Sequence, residues 1–325
     1  MNISGGLNGK TVAITGASGY IGSALVDRLM ESTLDILRVS RQELAPRADV
    51  RTIKADIRTL DCWLEIVEQA DVVFHLAGNT SVYTAAINPA ESLSSTLLPV
   101  THLVRAAQEL GRQPRVVFAS TATVFGLTAQ LPVAETVEPK PITVYDLHKL
   151  FAEQQLALAT QQGVLCGVSL RLANVYGSSS SVSSADDRGI LNRVTAMALQ
   201  GKDLIVYGDG NYLRDYVYID DVVRAFMVAG LREGVCGGLF NVATGDSVSV
   251  REAFHLVVQR VANVTGNRVH IQNVPWPEGA NPIELRNYTA DIKCSVDDLG
   301  WRPKISLKSG IDCMIDSFRK STKND

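Results

Sequence analysis

The chain has 325 residues and a mass of 35.1 kDa, enough for one large domain or two interleaved ones. Apolar residues make up 46% and charged residues 20%, the composition of an ordinary soluble globular protein. With 31 Lys and Arg against 34 Asp and Glu, the net charge is −3, which excludes an electrostatic footprint for nucleic acid or an anionic membrane.

The N-terminal nine residues are polar and Gly-rich, and no apolar stretch reaches the roughly 20 residues of a membrane span. We therefore predict neither a secretory signal nor a transmembrane helix. Metal-ligand or redox spacing is absent among the five cysteines, which are Cys62, Cys166, Cys236, Cys294 and Cys313. No metal site is expected, and free thiols in a reducing, cytoplasmic compartment are the simplest interpretation.

The first half of the chain alternates short apolar runs with amphipathic stretches. The predicted strands are 12–15, 36–39, 51–54, 72–76, 115–119 and 164–172, and the predicted helices are 20–30, 60–69, 90–110 and 145–162. Gly111 and Pro114 follow the long helix in the order expected of a helix stop. This alternation predicts an α/β fold, a doubly wound parallel sheet of the Rossmann type with helices on both faces.

After Gly177 the pattern changes. The segment 178–187 is rich in Ser and Asp and is predicted to be a flexible loop. Helices at 190–200 and 219–231 and strands at 204–207, 240–243 and 269–272 follow, before a region interrupted by prolines. We expect a dinucleotide-binding domain over 1–177, to which 211–243 returns, and a smaller C-terminal substrate-binding cap over 178–210 and 244–325.

A glycine-rich turn links the first strand to the first helix. Gly16 allows the tight turn, Gly19 lets the backbone approach a pyrophosphate, and Gly22 lets the helix pack closely on the sheet. Because it lies between a strand and a helix, this spacing predicts a dinucleotide site. The cofactor-binding residues predicted here are Gly16, Ser18, Gly19, Tyr20, Ile21 and Gly22.

The end of the second strand bears on the choice of cofactor. A carboxylate there would accept hydrogen bonds from a ribose 2′-hydroxyl, but Ser40 and Arg41 occupy the position and favour NADP(H) over NAD. The alternative is that Arg38 and Arg41 only solvate a sheet edge. Asp56, which precedes Ile57 after the third strand, is either a partner of the adenine amino group or a helix N-cap.

Tyr145 and Lys149 lie one turn apart on a predicted helix. A free phenol has a pKa of about 10, and an adjacent ammonium and a positive nicotinamide both favour its ionised form. Such a phenol can exchange a proton with a carbinol while a hydride moves to or from the cofactor. Ser120 and Thr121 supply hydroxyls at the carboxyl edge of the sheet, where ligands bind in open α/β sheets.

Together these motifs resemble the extended short-chain dehydrogenase/reductase family of nucleotide-sugar epimerases and dehydratases. The resemblance covers nearly the whole chain and includes His75-Leu-Ala-Gly78, Arg171-Leu-Ala-Asn174-Val-Tyr-Gly177, Tyr207-Gly-Asp-Gly210 and Arg214-Asp-Tyr-Val-Tyr-Ile-Asp220-Asp221. It implies that Thr121 is the catalytic hydroxyl, with Ser120 as the alternative. Tyr145 is then the acid/base, and Lys149 holds both the tyrosine and the nicotinamide ribose. Further cofactor-groove residues implied are Leu76, Ala77 and Gly78.

At the substrate end, the resemblance implies contacts from Ser81 to the sugar or nicotinamide. Contacts with the nucleotide diphosphate are implied for Asn174, Asn192, Arg214 and Arg286, and each arginine has a solvated ion pair as its alternative. We expect Asp220 and Asp221 to cap a helix and His75 to be a packing residue. His148 is expected to be a helix-surface or packing residue. The segment 178–184 either begins a substrate-covering loop or is a solvated insertion. The resemblance also implies a homodimer through the tyrosine-bearing helix and the helix before it.

Departures from the family pattern narrow the chemistry. Its dehydratases have an Asp-Glu pair after the catalytic threonine, where Ala122 and Thr123 stand here. The Cys-His pair of its epimerase-reductases has no counterpart either. We expect redox chemistry at one carbinol, carbon four of a nucleotide-diphosphate sugar, by an NADP(H)-dependent 4-keto-sugar reductase. The alternatives are a 4-epimerase with tightly bound NAD, a reductase of other ketones or aldehydes, and a non-catalytic dinucleotide sensor, which would not need an intact Tyr-Lys pair.

Overall fold

A computed structural model describes residues 9–32, 34–179 and 189–321. Its strands are β1 (Thr11–Thr15), β2 (Asp35–Ser40), β3 (Val50–Lys54), β4 (Val72–His75), β5 (Arg115–Thr121), β6 (Cys166–Leu172), β7 (Asn174–Tyr176), β8 (Leu204–Tyr207), β9 (Leu213–Tyr218), β10 (Leu239–Val242), β11 (Ser247–Ser249) and β12 (Ile271–Val274). Its helices are α1 (Tyr20–Leu29), α2 (Leu60–Gln69), α3 (Val82–Ile87), α4 (Pro89–Leu110), α5 (Val144–Gln161), α6 (Ile190–Leu199), α7 (Ile219–Leu231), α8 (Val250–Thr265), α9 (Lys293–Asp297) and α10 (Leu307–Ser321).

The central sheet has seven parallel strands in the order β10-β6-β5-β4-β1-β2-β3. Alternate side chains of β1 serve opposite faces: Val12 and Ile14 pack in the core that includes α1 and α7, and Ala13 packs in the core of α2, α4 and α5. This burial on both faces explains why the inner strands β1 and β4 are mainly apolar, whereas the edge strand β3 is mostly exposed. The predicted doubly wound α/β fold is confirmed.

Two small sheets accompany the central one. In the first, β9 lies between antiparallel β11 and parallel β7, and in the second β8 pairs with parallel β12. Around them pack α6, α8 and α10, of which the last two were missed by the sequence analysis. The start of α8 could have been predicted from the sequence, because Ser249 and Glu252 have the spacing of a capping box and form one in the structure.

One cysteine pair corrects the expectation of free thiols. Cys166 at the start of β6 and Cys236 before β10 form a disulfide, with Cα atoms 5.0 Å apart. The pairing was not readable from spacing, because 70 residues separate two cysteines that neighbouring strands bring together. The free-thiol argument for a reducing compartment therefore loses its basis. Within the described ranges, no helix has the length and apolar character of a bilayer span.

The start of α7 corrects another expectation. Tyr218 is its N-cap, while Asp220 and Asp221 lie in its first turn, where carboxylates complement the helix dipole without capping. The Asp221 carboxylate instead accepts hydrogen bonds from the backbone N–H groups of Lys304 and Ile305, each at 2.9 Å. It therefore fastens α7 to the chain that leads into α10.

Candidate active site

One continuous cavity of about 1300 Å³ opens at the carboxyl ends of β1, β2, β4 and β5. It extends to the segments 205–216 and 276–288, so it is large enough for a dinucleotide and a second ligand. The residues predicted from the sequence that line it are Gly16, Ser18, Gly19, Tyr20, Ile21, Gly22, Ser40, Arg41, Asp56, Ile57, Leu76, Ala77, Gly78, Thr121, Tyr145, Lys149, Asn174, Arg214 and Arg286.

The glycine turn has the geometry that a pyrophosphate requires. Gly16 has a φ of +70°, and a Cβ there would lie 2.8 Å from the backbone nitrogen of Ala77. At Gly22 a Cβ would lie 2.1 Å from the carbonyl oxygen of Gly16. Gly19 is the N-cap of α1 and has no side chain to cover the first N–H groups of the helix. The residues of this turn line the cavity, so the turn fits a dinucleotide.

The adenosine end of the groove combines a hydroxyl with two guanidinium groups. Ser40 is buried at the end of β2 and accepts a hydrogen bond from the Gln42 backbone at 3.1 Å, while Arg41 is exposed at the cavity wall. Asp56 accepts a hydrogen bond from Arg58 Nη2 at 2.6 Å. The hydrogen bonds of Arg58, and to a lesser degree the charge of Arg41, lower the pKa of Asp56.

Two sequence alternatives at this end are wrong. The N-cap of α2 is Thr59, so Asp56 is not a helix cap. Arg38 does not solvate a sheet edge, because it is buried and donates to Thr52 Oγ1 at 2.9 Å and to the carbonyl of Ala45 at 3.0 Å. It braces the loop after β2 and leaves Arg41 as the cation of this strand end.

The three residues predicted to be catalytic lie where β5 ends and α5 begins. Thr121 ends β5, and Tyr145 and Lys149 lie in the first turns of α5; all three are buried and line the cavity. Lys149 Nζ donates to the carbonyl of Ala119 at 2.8 Å and lies 4.8 Å from the centroid of the Phe118 ring. These contacts fix the ammonium against β5, in the wall of the same cavity that Tyr145 lines.

The hydrogen bonds of Ser120 and Thr121 give these two hydroxyls different roles. The Ser120 hydroxyl donates to Glu153, and Glu153 forms a buried ion pair with Arg171 at 2.7 Å. Because its hydrogen is donated to Glu153, Ser120 links the end of β5 to this buried ion pair. Thr121 is the better placed hydroxyl for a ligand in the cavity.

The two histidines predicted to pack are both buried. His75 has no exposed surface, its Nδ1 lies 2.7 Å from Thr15 Oγ1, and its ring meets Trp63 edge-on at 5.2 Å. Burial, with a smaller effect of the Lys149 charge, lowers its pKa to about 3. His148 lies between α4 and α5, with Nδ1 2.9 Å from Ser92 Oγ, and burial lowers its pKa as well.

Two arginines lie together on the cavity wall formed by β9 and the segment 284–286. Arg214 is only 5% exposed, so the solvated ion pair considered for it is wrong. Its Nη2 donates to the carbonyl of Glu284 at 2.7 Å and its Nη1 to that of Arg286, which braces the segment. Burial lowers the pKa of Arg214. Arg286 lines the cavity and donates to the carbonyl of Ile283 at 3.0 Å.

Ser81 and Asn192 are the predicted site residues that do not line the cavity. The Ser81 hydroxyl caps α3, a helix that the sequence analysis missed, by accepting the N–H groups of Tyr83 and Thr84 at 3.2 and 3.3 Å. Asn192 is bound to the backbone of Gly177, with its Oδ1 accepting the N–H at 3.0 Å.

The predicted substrate-covering loop is described only at its start. Of the segment 178–184, residues 180–184 lie outside the described residues. The part that is described begins beside the glycine turn, since Ser179 Oγ donates to the carbonyl of Tyr20 at 2.7 Å.

The sequence analysis missed an aromatic wall of the cavity. Tyr207 and Trp276 stack with ring centroids 5.3 Å apart, and Tyr212 meets Trp276 edge-on at 5.9 Å. All three line the cavity, where their faces suit a nucleobase. Tyr207 stands in a glycine motif that was noted, but Trp276 lies between two prolines in a stretch without periodicity.

Fold and cavity define a dinucleotide-dependent enzyme of the doubly wound α/β class. Residues 12–243 match the NAD dependent epimerase/dehydratase family, and the chain belongs to that family. The predicted resemblance to the extended short-chain dehydrogenase/reductases is thereby confirmed.

Three similar proteins indicate the chemistry of the relatives. The UDP-glucose 4-epimerase of Mycolicibacterium smegmatis is 30% identical over 95% of this chain and 99% of its own. UDP-glucuronic acid decarboxylase 2 of Arabidopsis thaliana is 27% identical over 98% of this chain and 70% of its own. The structure of the Thermus thermophilus UDP-glucose 4-epimerase in complex with NAD has a TM-score of 0.81 and 28% identity, covering 95% of this chain and 99% of that one.

Proposed function

We propose that the protein is a 4-epimerase of a UDP-linked sugar that works with tightly bound NAD. The observation that carries this proposal is the single cavity, which joins the glycine turn to Thr121, Tyr145 and Lys149 and then to Arg286. A nucleotide sugar with its diphosphate near the arginines places its sugar ring toward the tyrosine. The names of the relatives support a 4-epimerase better than the 4-keto-sugar reductase that the sequence analysis favoured.

Each catalytic side chain has a defined part in this reaction. Tyr145 removes the proton of the carbon-four hydroxyl and later returns it to the ketone oxygen. Lys149, anchored on the Ala119 carbonyl, stabilises the ionised phenol. Thr121 holds the reacting oxygen. The glycine turn and Lys149 would hold NAD, which would supply a reversible hydride acceptor for carbon four, so that the overall reaction would have no net redox change.

Elimination of water is not supported by this site. The positions after Thr121 are Ala122 and Thr123, and neither side chain is an acid or base at neutral pH. For a sugar without a carboxylate at carbon six, the ketone can therefore react further only by taking hydride back. For a sugar acid the same ketone lies β to a carboxylate, which is the arrangement that loses carbon dioxide.

A second candidate is an NADP(H)-dependent 4-keto-sugar reductase. It is favoured by Ser40 and Arg41 at the end of β2, with Arg58 close by on Asp56, because two guanidinium groups near the adenosine ribose suit a 2′-phosphate. Identification of the cofactor decides between the two.

The test begins with the purified protein, denatured so that its bound cofactor is released and identified. Fresh protein is then incubated, without added cofactor, with UDP-glucose, UDP-galactose or UDP-glucuronic acid, and products are followed by NMR. We expect bound NAD and interconversion of the two hexoses. Net NADPH consumption with a 4-keto sugar would favour the reductase, and release of carbon dioxide would favour a decarboxylase.

Variants tie this activity to the site. Tyr145→Phe should keep its cofactor and lose at least about 100-fold in turnover, the size of a general acid–base contribution. Tyr218→Phe, in a buried tyrosine outside the cavity lining, is the matched control and should keep the activity. A Tyr145→Phe protein as active as this control would refute the acid/base role.

We also propose a homodimer through α4 and α5 and retain the division into a dinucleotide-binding domain and a cap over 178–210 and 244–325. Five large apolar side chains on these helices are 37–53% exposed: Leu93, Leu110, Leu147, Phe151 and Leu158. Phe151→Asp should give a monomer by light scattering, whereas Leu285→Asp, at a comparably exposed leucine elsewhere, should leave a dimer. A Phe151→Asp dimer, or a monomeric parent protein, would refute this interface.

A further inference from the structure

The aromatic wall of the cavity has no part in the proposed mechanism. Its tryptophan, Trp276, follows β12 and stands between two prolines. The indole stacks on Tyr207 with ring centroids 5.3 Å apart and meets Tyr212 edge-on at 5.9 Å. Neighbouring apolar side chains of β8 and α8 that also line the cavity are Val206, Val250 and Phe254. This part of the cavity therefore suits a flat, apolar group.

Backbone pairing fixes the tryptophan beside Tyr207. Strands β8 and β12 run parallel with Val274 opposite Tyr207, and the Gly208 N–H donates to the Val274 carbonyl at 2.8 Å. Asn273 Nδ2 also donates to the Gly208 carbonyl at 2.7 Å. The segment that carries Trp276 is therefore tied directly to the turn that follows Tyr207.

The indole is packed against a glycine. Gly208 has a φ of +64°, and a Cβ there would lie 2.8 Å from Nε1 of Trp276. In this position Nε1 is buried and has no hydrogen-bond partner within the part of the chain that the structure describes. A buried indole N–H usually has a partner, and leaving a buried donor unpaired is unfavourable. Ring contacts, and no hydrogen bond, therefore hold the indole against Tyr207.

The two cavity arginines link this aromatic wall to the catalytic residues. Tyr212 directly precedes β9, the strand that carries Arg214, and Arg214 braces the segment that carries Arg286. Arg286 in turn donates to the carbonyl of Ile283, a residue in the same packed cluster as Tyr145. A nucleotide sugar has the same order of parts, with its diphosphate between an aromatic base and the sugar.

We propose that Trp276 holds the nucleobase of the substrate: the indole leaves Tyr207 when the substrate enters and stacks on the base instead. This inference rests on the proposed function, in which the substrate is a UDP-linked sugar. Stacked rings have centroids at least about 4.5 Å apart, so a base has no room between two rings that are 5.3 Å apart. Movement of the indole replaces one aromatic stack with another and releases its N–H from the position in which it has no partner.

Trp276 then determines which ligands bind, because stacking requires an aromatic base, whereas the arginines require only a charged diphosphate. Loss of a stack between a base and an aromatic side chain lowers affinity about 5- to 100-fold. In turnover of UDP-glucose, Trp276→Leu should therefore raise KM by a similar factor. It should change kcat little, because Tyr145 and Lys149 are untouched.

The main test compares two probes on the protein with NAD bound. UDP has a base and inorganic pyrophosphate has none, and the dissociation constant of each is measured by calorimetry. We expect Trp276→Leu to weaken UDP binding about 5- to 100-fold and to leave pyrophosphate binding at the parent value. Trp276→Phe keeps an aromatic face and should restore most of the affinity for UDP. Tyr83→Leu, which removes a ring from the cavity wall at α3, is the matched control and should bind UDP as the parent does.

A second measurement uses the parent protein itself. The chain has three tryptophans, and the other two, Trp63 and Trp301, are 0% and 1% exposed and lie outside the cavity lining. Movement of Trp276 off Tyr207 should therefore change the tryptophan emission when UDP is added, and pyrophosphate should leave the emission unchanged. The response to UDP should disappear in Trp276→Phe.

The results separate two failures. If the protein epimerises a UDP-linked hexose but Trp276→Leu binds UDP as tightly as the parent, this role of Trp276 is wrong and the proposed function stands. If the protein epimerises no UDP-linked hexose but binds UDP in a way that depends on Trp276, the proposed function is wrong and the nucleobase site stands. Weaker binding of UDP to Trp276→Leu without any change in the parent's emission would overturn the exchange of stacks.

Discussion

Replacing Gly22 with alanine should remove most of the affinity for the dinucleotide. A Cβ at this position would lie 2.1 Å from the carbonyl oxygen of Gly16, whereas ordinary contacts begin at 3.4 Å. Helix α1 and the turn must therefore separate by about 1.3 Å, the difference between these two distances. The turn has little room to yield, because at Gly16 even a Cβ would lie 2.8 Å from the Ala77 backbone. The start of α1 moves away from the pyrophosphate instead.

The size of the effect follows from the hydrogen bonds that the helix N-terminus would lose. At about 1.5–3 kcal/mol for each bond to a charged group, losing two of them lowers affinity by at least about 100-fold. The assay is the molar ratio of NAD released on denaturation, followed by calorimetric titration of NAD into stripped protein.

Gly163→Ala is the matched control for this experiment. Gly163 has a φ of +72° but open space around a Cβ, so the substitution strains the backbone far from the turn without a clash. It should keep its NAD. A Gly22→Ala protein that binds NAD as tightly as the parent protein would refute the close approach of helix and pyrophosphate.

Four further predictions concern binding and stability. Arg286→Gln should raise the KM for a UDP-linked sugar about tenfold or more with little change in kcat, since it removes a charge-assisted bond to the diphosphate; an unchanged KM would exclude it from the substrate site. Glu153→Gln and Arg171→Met should each lower the free energy of unfolding in urea by about 3–5 kcal/mol, because each substitution leaves one member of a buried ion pair without its partner. The double variant should lose less than the sum of the two single losses. Strictly additive losses would refute this coupling. Burial lowers the pKa of His75 to about 3 in the folded protein, against 6.5 in the unfolded chain. Between these pH values the unfolded chain binds one more proton, so the free energy of unfolding falls as the pH falls, by up to about 1.4 kcal/mol per pH unit. His75→Gln should show a shallower pH dependence, and an equal slope would contradict the burial effect. Cys166→Ser should lower the free energy of unfolding by about 4 kcal/mol under non-reducing conditions, because the disulfide closes a loop of 70 residues; equal stability, or a parent protein whose peptide map lacks the cross-link, would refute it.

The features that the sequence predicted well are local. The glycine turn depends on spacing within one strand-turn-helix unit, and the Tyr145–Lys149 pair on spacing within one helix turn. Such patterns can be predicted without knowing which distant segments come together. Most strands of the central sheet were also predictable from local sequence, because burial on both faces makes them short apolar runs; β3, at the sheet edge, buries only Ile53.

What the sequence did not predict depends on contacts between distant segments. The disulfide joins cysteines 70 residues apart. The sheet-edge alternative for Arg38 failed because its side chain is buried against Thr52 and the loop after β2. Ser81 was misplaced because a short helix begins directly after it. The bond from Thr123 to Asp146 crosses from the end of β5 to α5, and only the fold brings these two side chains together.

The most direct test of the account uses a UDP-linked hexose that carries deuterium at carbon four. If hydride leaves carbon four for a nicotinamide held beside Tyr145 and returns to the same carbon, the epimer formed in ordinary water retains its deuterium at that position. An epimer that has lost its deuterium to solvent would contradict the central claim, because a proton abstracted from carbon, and not a hydride, would then have moved.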